Sequence, residues 1–313
     1  MRFEQFQISF FVQTVIDKLL NSGSTASKHQ LILCRTLDLA IKTEQLQAIT
    51  MLPPNIVAKI DELRKIQVDL LNKEAEFHKQ VHSMETEFQK TLLDMFDKRR
   101  QIINGTYLPT QEDTLKPEDN EINPEEQVKG IPEFWLNVFK MAPILHGLIH
   151  PLDEDALKHL VDVRAVMINL PKAGFVLEFE FEANDNFNNN VLTKRYEMEC
   201  APDAEKLVSF NGFEIIDSVG CDIDWKEGAN LTVSIENGTE RAADSFFNFF
   251  RPKKLAANVD PVTYKQFMEY DFEIGYFIKE RIVPRAVLFY SGDVANAEDD
   301  SLEYDLETMP NSG

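Results

Sequence analysis

Between Pro53-Pro54 and Asn104-Gly105 the chain has no internal glycine or proline. As one helix this stretch would be about 75 Å long, against the ~11–12 residues of an average globular helix. Ile60, Leu63, Leu70, Phe77, Val81, Met84, Phe88 and Met95 recur at alternating steps of three and four, with Gln67, Glu74 and Thr91 interrupting the seam. Ile56, Ile66, Leu71, Leu92 and Phe96 widen it into a broad apolar stripe. Such a stripe needs an equally long partner, and no second segment of comparable length is present in the sequence. A second copy is the economical solution, because a twofold axis pairs like with like. An intramolecular hairpin and a solvent-crossing spacer are the alternatives.

At 313 residues there is room for one sizeable core with flanking elements, or for two small domains. A formal charge of -21 argues against nucleic acid and anionic membranes as direct strong partners and favours a basic one. Cys34, Cys200 and Cys221 are few and far apart, with neither a disulfide framework nor a zinc spacing, which suits a reducing compartment. Met1 to Leu20 reads as a short amphipathic helix rather than a signal peptide, since Glu4 precedes its apolar run and no positive lead-in is visible.

Five regions follow. Residues 1–52 form a partly helical or disordered flank, broken at 21–30. Residues 53–105 are the long helix, and 106–130 an acidic, proline-punctuated linker. Residues 131–290 form an α/β domain, and 291–313 an acidic tail expected to be disordered. Within the domain, Glu133–Leu145 reads as a helix and Asp153-Glu154-Asp155 opens another running to Val161. In Phe175–Glu182 the residues Phe175, Leu177, Phe179 and Phe181 face one way and Val176, Glu178, Glu180 and Glu182 the other, a half-buried strand. Val191–Glu199, Phe213–Ser218 and Leu231–Glu236 continue an antiparallel meander, and a helix follows over Val262 to Val283. The fold class is α+β: a long dimerisation helix followed by a helix-backed antiparallel sheet.

Taken together, several segments resemble the nucleosome assembly protein family of histone chaperones. They are Asp97-Lys-Arg-Arg-Gln-Ile-Ile-Asn-Gly105, Gly130-Ile-Pro-Glu-Phe-Trp-Leu136, Asn190-Val-Leu-Thr-Lys194, Trp225-Lys-Glu-Gly-Ala-Asn-Leu-Thr-Val233, Asp244-Ser-Phe-Phe-Asn-Phe-Phe250, and Asp271-Phe-Glu-Ile-Gly275 continuing through Pro284-Arg-Ala-Val-Leu288. The resemblance implies a homodimer joined by the long helix and an "earmuff" domain with an acidic concave face. It also implies that the protein binds core histones and deposits them on DNA without ATP. Three features depart from the family pattern. The acidic tail is short and diluted by Ser301, Leu302, Leu306 and Thr308. The basic hairpin ahead of the phenylalanine motif has shrunk to Asn237–Asp244. The N-terminus lacks an acidic lead-in.

Competition with phosphates for a basic protein calls for many exchangeable carboxylate contacts, each worth about 0–1 kcal/mol when exposed. The candidates are Asp153, Glu154 and Asp155, then Glu269, Asp271, Glu273 and Glu280 of the late helix, with the tail acids Glu298, Asp299, Asp300 and Glu303 as a second contact. Glu178, Glu180 and Glu182 are weaker candidates, because an exposed sheet face is polar anyway. The pairs His78/His82 and His146/His150 lack the glutamate a metalloprotease would place between them, and no phosphate loop or nucleophile elbow is present. The expectation is a non-enzyme without metal or cofactor, cycling between cytoplasm and nucleus with a weak or missing import signal. The alternative is a cytoplasmic acidic dimeric adaptor with little deposition activity. Phe246, Phe247, Phe249 and Phe250 read as core, and Asp97-Lys-Arg-Arg100 as cations favoured at a helix C-terminus.

Overall fold

A computed structural model describes residues 52–107, 129–203, 207–236, 238–251 and 261–296. The expectations for the N-terminal flank, most of the acidic linker and the tail from Ala297 lie outside these residues. The chain divides into two compact units, one ending at Leu71 and the other beginning at Asn72.

Helix α1, Pro54–Ile103, is a single helix of 50 residues. Its described part in the first unit, up to Leu71, leaves Leu63, Ile66 and Leu70 exposed. In the second unit α1 has a buried face and an open apolar face. Ala75, His82, Thr86 and Ile103 are buried, whereas Phe77, Met84, Phe88 and Met95 lie open, Met84 at 72% and Phe88 at 63% of full exposure.

The second unit is built on a four-stranded antiparallel meander, β1 Leu160–Ile168, β2 Ala173–Phe181, β3 Val191–Glu199 and β4 Glu214–Gly220, in that spatial order. A separate hairpin pairs β5 Val233–Glu236 with β6 Thr239–Ala242. The helices are α2 Phe134–Met141, α3 Pro143–His146, α4 Glu154–Leu157, α5 Pro261–Phe277, α6 Val283–Tyr290 and α7 Asp293–Asn296, with a wider π turn over Ile278–Ile282 joining α5 to α6. Phe175, Leu177, Phe179 and Phe181 of β2 point into the core, as period-two alternation requires. There they meet Trp135 and Phe139 of α2 and all four phenylalanines of the 3₁₀ turn Phe246–Phe250. Phe179 packs edge-on to Phe250 at 5.0 Å, and Phe187 to Trp225 at 5.7 Å.

Three local readings are corrected. The helix opened at Glu154 stops at Leu157, and Leu160–Ile168 is a strand. Its alternation was masked by an irregularity in pairing between Leu160 and Asp162 and by a buried charge at Asp162. The helix read over Glu133–Leu145 is broken at Ala142, where extended backbone precedes Pro143. Residues 239–242, read as the shrunken remainder of a basic hairpin, form the second strand of a complete two-stranded one.

Side chains of α1 close the free edge of β1. The Gln89 amide donates to Ala165 O and accepts from Met167 N at 2.9 Å, so it pairs with the strand as a neighbouring backbone would. His82 Nε2 lies 2.8 Å from Ile168 O. At the end of α1, Gly130 stands at φ 67°, and a Cβ there would come within 2.1 Å of Ile103 O. This close passage lets Ile131 N donate to Ile103 O at 2.8 Å and turns the chain toward α2.

Candidate functional site

Asp153 and Asp271 are 0% and 2% exposed, and both are internal anchors rather than surface contacts. Asp153 accepts from Ser245 Oγ at 2.6 Å and from Phe246 N at 2.7 Å, and so fixes the start of the phenylalanine turn. Asp271 forms an ion pair with Lys194 Nζ at 2.9 Å and accepts from Ser218 Oγ at 2.5 Å. Lys194 also donates to Phe249 O, so α5, β3, β4 and the phenylalanine turn meet at one buried charge pair. A buried ion pair holds only when its remaining hydrogen bonds are filled, which these contacts achieve. Sequence spacing put both acids beside exposed neighbours, and only burial separates them.

The other described candidates are at the surface. Glu154 pairs with Lys140 at 2.7 Å, Asp155 with Lys158 at 2.7 Å and Glu269 with Lys265 at 3.4 Å. The hydrogen bond and charge of Lys158 hold the Asp155 carboxyl below its ordinary value. Glu280 is paired with Lys279. Glu273 has no cation partner among the described residues. Glu298, Asp299, Asp300 and Glu303 lie outside the described residues. Glu85 of α1, which the sequence reading did not single out, is close enough to act with Glu280 on the Tyr276 hydroxyl. Burial, then these two charges, push that hydroxyl's pKa up.

A further acidic rim lies where two loops lock together. Asn184 Oδ1 accepts from Asn186 N at 2.9 Å and from Phe187 N at 3.0 Å, closing the turn after β2. Asn188 donates to Asp224 Oδ2 at 3.1 Å, and Asp224 N donates to Asn189 Oδ1 at 2.7 Å. Phe187, Trp225 and Phe247 pack beneath and hold both loops down. Glu182, Asp185, Asp222, Asp224 and Glu227 are thereby left exposed together. The neighbouring Lys226 is turned inward onto Asn184 O. These acids are dispersed along the sequence and become neighbours only through the loop lock.

No group of three histidine, cysteine or acidic side chains among the described residues could hold a metal ion. His82 bonds strand backbone and His150 Nδ1 accepts from Leu152 N, so each ring contacts backbone of the fold. Among the described residues no helix is long and apolar enough to cross a membrane.

Residues 58–293 match the family model described as Nucleosome assembly protein (NAP). The chain belongs to the nucleosome assembly protein family. It is similar to mouse Nucleosome assembly protein 1-like 1, with 39% identity over 289 residues covering 80% of this chain and 73% of that protein. Human Nucleosome assembly protein 1-like 4 is 38% identical over 295 residues, covering 82% and 78% respectively. The solved structure of Nucleosome Assembly Protein 1 from Plasmodium knowlesi superposes with a TM-score of 0.54 at 25% identity, covering 77% of this chain and 98% of that one.

In this NAP-family chain the basic cluster ending α1 has a tertiary role beyond the helix dipole. Arg99 donates to Val283 O, lies 5.1 Å from the Trp135 ring and faces buried Asp162. Arg100 pairs with Glu180. Burial pushes the Asp162 carboxyl up from its ordinary value, against the hydrogen bond from Arg164.

Proposed function

We propose that this NAP-family chain is a histone chaperone. It binds core histones through its acidic surfaces and assists nucleosome assembly and disassembly by binding, without ATP and without catalysis. The observation that carries the reading is the loop rim: five exposed carboxylates on a rigid aromatic base, beside a lysine turned away from them. Fixed carboxylates hold Lys and Arg through many weak contacts, and each contact stays exchangeable. Glu85, Glu273 and Glu280 offer a second acidic surface on α1, α5 and the π turn that follows it.

The working form is a homodimer joined along α1, in which Ile60, Leu63, Leu70, Phe77, Val81, Met84, Phe88 and Met95 face the same residues of a second copy. Open side chains at heptad spacing support it, since a lone helix gains nothing from exposing them. The chain works in the nucleus and passes through the cytoplasm. Arg99 and Arg100 take no part in import, because the fold holds both.

Core histones, free and pre-bound to DNA, should be titrated at about 0.15 M salt, where the Debye length is near 8 Å. Saturable binding that draws histones off non-nucleosomal DNA contacts is the expected result. Weak, unsaturable binding would overturn the chaperone reading.

A further inference from the structure

The two loops that carry the acidic rim meet backbone to backbone, in a short antiparallel bridge between Phe187 and Trp225. On either side of it Asn188 N donates to Asp224 O at 2.9 Å and Lys226 N donates to Asn186 O at 2.8 Å. Asn189 Nδ2 donates to Asp222 O at 3.2 Å. Lys226 is tied in twice more. Its carbonyl accepts from Ala229 N at 3.1 Å, and its ammonium donates to Asn184 O at 2.5 Å. Asn184 is 5% exposed, and its side chain is fully occupied, Oδ1 by Asn186 N and Phe187 N and Nδ2 by Glu182 O. The lysine of one loop therefore reaches under the other and serves a carbonyl at the buried root of its turn.

Charge alone would place this lysine elsewhere. Glu182, Asp185, Asp222, Asp224 and Glu227 are exposed on the same two loops, yet Lys226 forms no ion pair among the described residues. A surface ion pair is screened by water, whereas a buried carbonyl deprived of its donor keeps its full desolvation penalty. The inward bond is the one the loops need. It also sets a positive charge beneath the rim, where it eases the repulsion among the carboxylates without occupying them.

We infer that Lys226 is the positioning residue of the rim. It touches no histone itself and acts by holding residues 184–189 against 222–227, so that carboxylates from both loops engage a partner as one surface. This role rests on the chaperone reading. Positioning and plain electrostatics give Lys226→Met opposite signs. Removing a cation beside five carboxylates makes the surface more negative, and on charge alone a basic partner would bind more tightly, with a steeper salt dependence. With the positioning bond gone, the loops part and fewer carboxylates engage at once. Binding then weakens about three- to tenfold at low salt and its salt dependence flattens. Lys226→Arg keeps a charged donor of similar reach and should restore binding to within about twofold of the parent.

The full chain and both variants are compared by amide hydrogen exchange and then by titration with purified core histones from low to high salt. In Lys226→Met, exchange should quicken across residues 184–189 and 222–227 while β1, β2 and β3 keep the parent's protection. The arginine variant should exchange as the parent does. Unchanged exchange in Lys226→Met, or histone binding as tight as the parent's or tighter, would overturn the positioning role and leave the chaperone reading standing. If the parent itself fails to bind histones saturably, the chaperone reading falls and this inference falls with it.

Discussion

Asp271 shows what burial does to a carboxylate that its neighbours leave exposed. With Lys194 it forms a closed pair deep between sheet and helix, so Asp271→Asn should cost about 3–5 kcal/mol in denaturant unfolding, because the ammonium stays buried with its charge uncompensated. The half-buried Glu273, whose carboxylate has no cation partner among the described residues, should lose less than about 1 kcal/mol as Glu273→Gln. Tyr196, whose hydroxyl donates to Asp271 O at 2.8 Å, supplies a pH test. Burial first, then the charge and hydrogen bonding of Asp271, push its pKa well above 10.0. The folded protein therefore keeps a proton that the unfolded chain releases near the ordinary value. The stability it contributes is complete below about pH 10 and is lost as pH rises from there toward the folded pKa. Tyr196→Phe should flatten that alkaline decline in an unfolding series, after losing about 1 kcal/mol at neutral pH with its hydrogen bond. Gly275 adds a packing constraint at the same place, because a Cβ there would come within 2.3 Å of the Tyr196 ring.

At the scale of elements, α1 does two jobs with two faces. Its inward face carries Gln89, His82 and Arg99, which satisfy the edge of β1 and the carbonyl of Val283. Gln89→Ala should destabilise the second unit by about 1–3 kcal/mol, measurable by denaturant unfolding, because the strand's N–H and C=O lose their partner. The outward face is open. Polar replacement of Leu70, Phe77, Val81 and Phe88 should convert a dimer to a monomer or to unstable protein, as light scattering and thermal unfolding would show. A folded dimer from that variant would move the interface elsewhere. The seam was legible because a helix repeats its face every few residues, so spacing alone reveals it. Strand β1 was not, since its buried Asp162 and irregular pairing broke the alternation that identifies a strand. The inward face of α1 was equally hidden, because glutamine, histidine and arginine look like solvent residues until a strand edge lies beside them.

At the scale of the whole molecule, the charge of -21 is unevenly used. Some carboxylates hold the fold together, and others remain at the surface as a loop rim. Neutralising Asp185, Asp222, Asp224 and Glu227 together should weaken histone binding about tenfold or more at low salt while leaving the unfolding midpoint nearly unchanged. Unchanged affinity in the titration would place the main contact on another surface. Composition, heptad spacing, period-two strands and the ordered family motifs were readable directly, because each is a regularity along the chain. The roles of individual acids were not, because a carboxylate's function depends on its dielectric surroundings and partners. Asp153 and Asp222 look alike in sequence, but one caps a buried turn and the other is exposed. The one-dimensional pattern determined that this chain is acidic, α+β and carries a long helix with an apolar seam. Tertiary packing decided which charges remain in water to meet a partner, since only the folded chain brings distant residues close enough to bury or pair one another.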